Sequence, residues 1–80
     1  MHDLVFPPHA LDEMRKDGLT KDDIYTVVGN CDDKIERLDG RAVYRRLLDD
    51  GRYVVVVIED DDVTVVSAWC DKRRSRRRRR

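Results

Sequence analysis

Residues 53–69 limit what this chain can become more than any other stretch. Tyr53, Val54, Val55, Val56, Val57 and Ile58 form an apolar run, 59–62 is an acidic interruption, and Val63 to Trp69 is a second run. Branched and aromatic side chains of this kind favour a pleated, half-buried backbone. No other segment is apolar enough to form the centre of a core, so the rest of the chain must pack around this one. Of 80 residues, 40% are hydrophobic and 42% charged, which makes that core small and concentrated in one domain.

Upstream, the signals are helical. Leu4-Val5-Phe6 is a short apolar run stopped by Pro7-Pro8, suited to a brief edge strand or a plug on the core. A helix is predicted over 8–17, because proline is tolerated in the first turn and Leu11 and Met14 mark an inward stripe. Gly18 then fits the left-handed stop position, with Leu19 reaching back to Met14. Thr20-Lys21-Asp22-Asp23 reads as a capping box opening a second helix that runs to about 28, with Ile24, Val27 and Val28 as its apolar face.

From Cys31 onward the period changes to two. Asp39-Gly40 and Asp50-Gly51 are hairpin signals and Asp60-Asp61 a weaker one, so antiparallel strands are predicted at 33–38, 41–48, 52–59 and 63–70. The expected fold is α+β: two N-terminal helices on one face of a four-stranded antiparallel sheet, over residues 1–70. Two-residue turns would place Leu38, Val43, Leu47, Val54, Val56, Ile58, Val63, Val65 and Trp69 toward the helices. The other face would hold Ala42, Tyr44, Arg46, Leu48, Tyr53, Val55, Val57, Thr64, Val66 and Ala68, with Val55, Val57 and Val66 needing cover from a partner, a second copy, a ligand or the tail.

A formal net charge of zero conceals an asymmetry. Residues 1–70 carry nine basic against sixteen acidic side chains, a net −7; residues 71–80 carry eight basic against one acidic, a net +7. Such an acidic body is no phosphate binder by itself, whereas the tail, expected to be disordered, has the composition of one. Cys31 and Cys70 match no metal-ligand spacing with His2 and His9, and no nucleotide-binding glycine pattern is present, so neither metal nor cofactor is expected. The N-terminal residues lack the pattern of a signal peptide and no apolar run approaches membrane-spanning length. The expectation is a soluble cytoplasmic protein with reduced thiols and no membrane association.

His9-Ala10-Leu11-Asp12-Glu13-Met14, Gly18-Leu19-Thr20, Asp23-Ile24 and Val27-Val28 resemble the opening of the domain-of-unknown-function 4258 family. Gly51-Arg52-Tyr53-Val54-Val55-Val56 and Val63-Thr64-Val65-Val66 resemble its last two strands. That family is similar to the RelE/BrnT-like toxin superfamily, which includes ribosome-dependent and free RNases of toxin–antitoxin pairs. The resemblance implies a RelE-like fold, RNA or a ribosome as target and an antitoxin as partner. Where relatives tend to carry arginine on the first helix, this chain has Glu13 and Asp17.

Metal-independent RNA cleavage needs groups that move protons and cations that stabilise the phosphorane. The candidates for such an endoribonuclease are His9, Arg46 and Tyr53, with Tyr44, Arg46, Arg73, Arg74, Arg76, Arg77 and Arg78 as nucleic-acid contacts. Against them stand ordinary structural readings. Arg46 would pair with Asp33 across the first hairpin, His9 would cap or pack, and the tail would fold onto the acidic body. The alternative function is a non-enzymatic protein-binding or self-associating module, a homodimer included, with the tail as a basic tether.

Overall fold

The structure, a computed structural model, describes residues 3–75. Its elements are α1 (Pro8–Lys16), α2 (Lys21–Gly29), β1 (Asp33–Glu36), β2 (Ala42–Leu47), β3 (Tyr53–Ile58) and β4 (Val65–Cys70). The four strands form one antiparallel sheet in sequence order. α1 lies along β4, and α2 packs against β2 and β3. Among the described residues no helix is long and apolar enough to cross a membrane.

Local chemistry sets both helix ends at the corner. Gly18 adopts φ +69°, its amide donates to Arg15 O, and the Leu19 amide donates to Met14 O at 2.8 Å, the paired bonds of a Schellman stop. Asp23 N–H donates to Thr20 Oγ1 at 3.1 Å while Thr20 N–H donates to Asp23 Oδ2 at 3.0 Å, closing the capping box. The N-terminal run makes an isolated bridge and forms no strand, with Leu4 as the plug. Leu4 is buried, and Val5 bridges in parallel to Thr64, with Val5 N–H donating to Val63 O and Val65 N–H to Val5 O.

The two Asp-Gly turns differ from expectation by one residue, which corrects the face assignment. The Asp60-Asp61 turn differs by two: Glu59 N–H donates to Thr64 O and Ile58 pairs with Val65, not with Val63. Leu48 N–H donates to Arg52 O and Gly51 N–H to Leu48 O, with Gly51 at φ +94°. Likewise Arg37 N–H donates to Arg41 O and Gly40 N–H to Arg37 O, with Gly40 at φ +90°. Both Asp-Gly pairs therefore end three-residue loops, each a type I turn closed by a left-handed glycine, instead of forming two-residue turns. The Asp39 and Asp50 carboxylates hold the loops by accepting from Arg41 N–H and Arg52 N–H. The register becomes Val43 opposite Val57, Arg45 opposite Val55 and Leu47 opposite Tyr53. In β4, Trp69 pairs with Val55 and Ala68 with Val56, and a register shift leaves Val66 as the extra residue.

One extra residue, in the β2–β3 loop or at Val66 within β4, turns the side chains beyond it to the other face relative to β3. Val54, Val56, Ile58 and Val65 do face the helices, but Ala42, Tyr44, Leu48 and Ala68 join them there in the core with Leu4, Ala10, Met14, Leu19, Ile24 and Val27. Val43, Leu47 and Trp69 are on the other face, and Leu38 stands fully exposed at a hairpin tip. Residues 71–75, expected to be disordered, form a turn docked on the start of β3. Ser75 N–H and Oγ both bond Asp71 O, and Tyr53 N–H donates to Ser75 Oγ at 2.9 Å. The remainder of the tail lies outside the described residues.

Candidate functional site: the uncovered sheet face

The predicted catalytic trio does not converge. His9 begins α1, and its Nε2 lies 3.1 Å from Val66 O at the outer edge of β4. Arg46 sits on β2, two strands away, where Nη1 donates to Asn30 O at 2.8 Å and lies 3.5 Å from Asp32 Oδ1. Tyr53 is on the opposite face, its hydroxyl accepting from Arg74 Nη1 at 3.1 Å. A surface depression of about 340 Å³ is lined by Leu11, Met14, Arg15, Leu19 and Lys21, another of about 460 Å³ by residues 35–39, and neither includes any of the three.

Nor do Tyr44, Arg46 and Tyr53 share a face. Tyr44 and Arg46 alternate with Arg45 on β2 and point to the helix side, where Tyr44 is buried under the Lys34 ammonium, 5.2 Å from its ring centroid. The expected Arg46–Asp33 pair is replaced by Arg45–Asp33 and Arg46–Asp32, a consequence of the same register step. Arg73 and Arg74 belong to the docked turn; Arg76, Arg77 and Arg78 lie outside the described residues.

Sequence reasoning missed two polar constellations. The first is a stripe at spacing four on α1: His9 meets Val66 O, Glu13 Oε1 accepts from Ala68 N–H at 3.2 Å and from Ser67 Oγ, and Asp17 Oδ2 accepts from Cys70 N–H at 2.8 Å. With Val5 bonded across Val63 and Val65, the N-terminal segment closes the outer edge of β4 from end to end. Glu13 and Asp17, the two acids that depart from the family resemblance, are therefore edge caps. Only the helical spacing of four was visible in the sequence. The second constellation is Arg52, which donates to Asp50, to both oxygens of Asp23 and to Gly18 O, tying the β2–β3 loop to the helical corner. Its guanidinium is held strongly in the charged form by those carboxylates, Asp50 first, against the opposing pull of burial. Burial pushes the Asp23 carboxyl up, but the Thr20 amide and the Arg52 guanidinium outweigh it and hold it below the usual carboxylate range.

Both cysteines are half-buried thiols against the core. Burial, and then the Asp17 carboxylate, push the Cys70 thiol up, which makes it a poor nucleophile at neutral pH.

What remains is the second face of the sheet. Ile35, Val43, Leu47, Val55, Val57 and Trp69 occupy it, with Arg45 near the centre and Tyr53 beneath Arg74 at one end. Both helices are on the other side. Val55 lies in register between Arg45 and Trp69 and is buried, although both helices are on the other side of the sheet. Trp69 is 38% exposed and Ile35 44%. Aliphatic centre, exposed indole, tyrosine and arginine are the composition of an interaction surface. Comparison of the chain with family models, with curated proteins and with solved structures finds no match.

Proposed function

We propose that this domain is a non-enzymatic protein-recognition module whose working surface is the second face of the sheet. The observation that carries this reading is the placement of the single tryptophan, Trp69, exposed beside Val55 and Tyr53 on the side of the sheet opposite both helices. Buried aromatic and arginine anchors supply most of the energy at protein interfaces. Here Trp69, Tyr53 and Arg45 stand ready around an aliphatic patch. The separation of His9, Arg46 and Tyr53 argues against hydrolysis at one centre. The element order, two helices followed by four antiparallel strands, supports a RelE-like layout, and an antitoxin-like segment with apolar side chains is the partner that the resemblance implies.

The test is affinity capture from source-cell extract with the wild-type chain and with Trp69→Ser and Leu47→Lys, each with and without RNase, followed by titration of the captured protein into the wild-type domain. The expected result is a protein retained by the wild type alone, resistant to RNase, whose binding shifts Trp69 emission to shorter wavelength. Equal capture by all three chains, or capture abolished by RNase, would overturn it.

One contact favours a second reading, RNA binding. The Arg74 guanidinium lies 5.3 Å from the Tyr53 ring centroid on the same face as Trp69, a pairing suited to stacked bases, and the arginine-rich tail continues from there. It predicts that a single-stranded oligoribonucleotide quenches Trp69 with a steep salt dependence. Cleavage of RNA by the purified chain, with or without ribosomes, would restore the toxin-type reading.

A further inference from the structure

The two edges of the sheet are treated differently. The β4 edge is closed by Val5, His9, Glu13 and Asp17, whereas β1, the opposite edge, faces solvent. Arg37 N–H donates inward to Arg41 O, so alternation turns the amides and carbonyls of Lys34 and Glu36 outward. Among the described residues nothing caps them. Such a row is a template for another strand.

We infer that β1 pairs antiparallel with β1 of a second copy, about a two-fold axis at Ile35. The sequence from Asp33 to Arg37 reads acid, base, isoleucine, acid, base. Folded back on itself about Ile35, it sets Lys34 against Glu36 of the other copy and Asp33 against Arg37, each twice. No like charges meet. The outward-facing residues are Lys34 and Glu36, and in this register they form the hydrogen-bonded pairs. Ile35, 44% exposed, then meets its symmetry mate in the close, non-hydrogen-bonded position.

A lysine on an edge strand ordinarily deters pairing. Here Glu36 two residues on supplies the opposite charge to the incoming strand at that point. Lys34 and Glu36 are 3.9 Å apart along the strand, with side chains 43% and 82% exposed, so both are available to a partner. Asp33 and Arg37 also have intramolecular partners, Arg45 and Asp39. The product is one eight-stranded sheet whose two outer edges are both capped β4 strands. The second faces of the two copies become continuous across Ile35. This pairing stands apart from the recognition reading, since it uses the edge of β1 and not the face around Trp69.

The test is the mass of the full chain in solution by light scattering and sedimentation, for wild type, Glu36→Lys, Lys34→Glu, their equimolar mixture and the double exchange. The wild type is expected to be a dimer. Each single exchange sets like charges opposite one another and raises the dissociation constant at least tenfold. The mixture recovers a heterodimer, because one chain then carries lysine at both positions and the other carries glutamate at both. The double exchange recovers the homodimer, and Trp69→Ser leaves the mass unchanged. A monomeric wild type at millimolar chain, single exchanges that dimerise as the wild type does, or a mixture that stays monomeric would overturn the proposal. A dimer lost with Trp69→Ser and kept in the charge exchanges would place self-association on the second face instead.

Discussion

The Glu13 carboxylate accepts the amide of Ala68 at 3.2 Å, across 55 residues of sequence. That bond closes an outward-facing donor of an edge strand with a side chain from a helix, in a row with His9 and Asp17. An unsatisfied amide at a part-buried site costs about 1–3 kcal/mol. Glu13→Ala should therefore lower stability by about 1–2 kcal/mol in urea titration, and Glu13→Gln by less, because its amide oxygen still accepts. The alanine variant should also aggregate sooner on heating, since β4 then offers an open edge.

The corrected register predicts unequal costs for adjacent leucines. Leu48 is buried in the helix-side core, and Leu47 is half-buried on the second face. Leu48→Ala should cost about 2–4 kcal/mol and Leu47→Ala about 1 kcal/mol or less in chemical denaturation. The two-residue turns expected from the sequence require the reverse order.

Two left-handed glycines should respond differently to a methyl group. Gly18 at φ +69° has nothing within 4 Å of an added Cβ, so Gly18→Ala bears only the backbone cost, roughly 1–2 kcal/mol. At Gly40, φ +90°, the added Cβ would sit 3.1 Å from Asp60 Cβ. Gly40→Ala should lower the thermal midpoint further than Gly18→Ala, because the β3–β4 loop must also move.

Acid should loosen the helical corner. The Asp23 carboxyl titrates below its unfolded value, so the unfolded chain takes up the proton first as pH falls. The stability that Asp23 contributes is complete above the ordinary carboxylate range and is lost as pH falls through its lower folded value. Asp23→Asn should flatten the slope of urea midpoint against pH below about pH 4. It should also lower the midpoint at neutral pH, where Arg52 loses its partner at 3.1 Å.

Much of the fold was legible because its signals are local. Gly18 with Leu19, and Thr20 with Asp23, announce a helix stop and a helix start within four residues, and both form as read. The apolar runs and Asp-Gly pairs likewise placed four antiparallel strands. The choice of face was not local. Asp-Gly suits a two-residue turn or the end of a three-residue loop, and these differ by one step of register. The tertiary structure decides between them by what each buries. Two-residue turns would set Arg45 under the helices opposite Val56, whereas the observed register puts Ala42, Tyr44 and Leu48 in the core. Arg46 then lies at the margin, where its Nη1 reaches Asn30 O and Asp32 while its Nε is buried without a partner among the described residues. A charge taken from water without such partners is costly.

The sequence by itself determined the helical corner, the strand count and the central place of residues 53–69. Only the tertiary structure decided which side chains of β2 and of the end of β4 join Val54, Val56 and Ile58 in the core, and that His9, Glu13 and Asp17 guard an edge. The reason is physical: spacing along a helix is written in the chain, but the backbone groups those side chains bond exist as a row only once β4 lies beside α1.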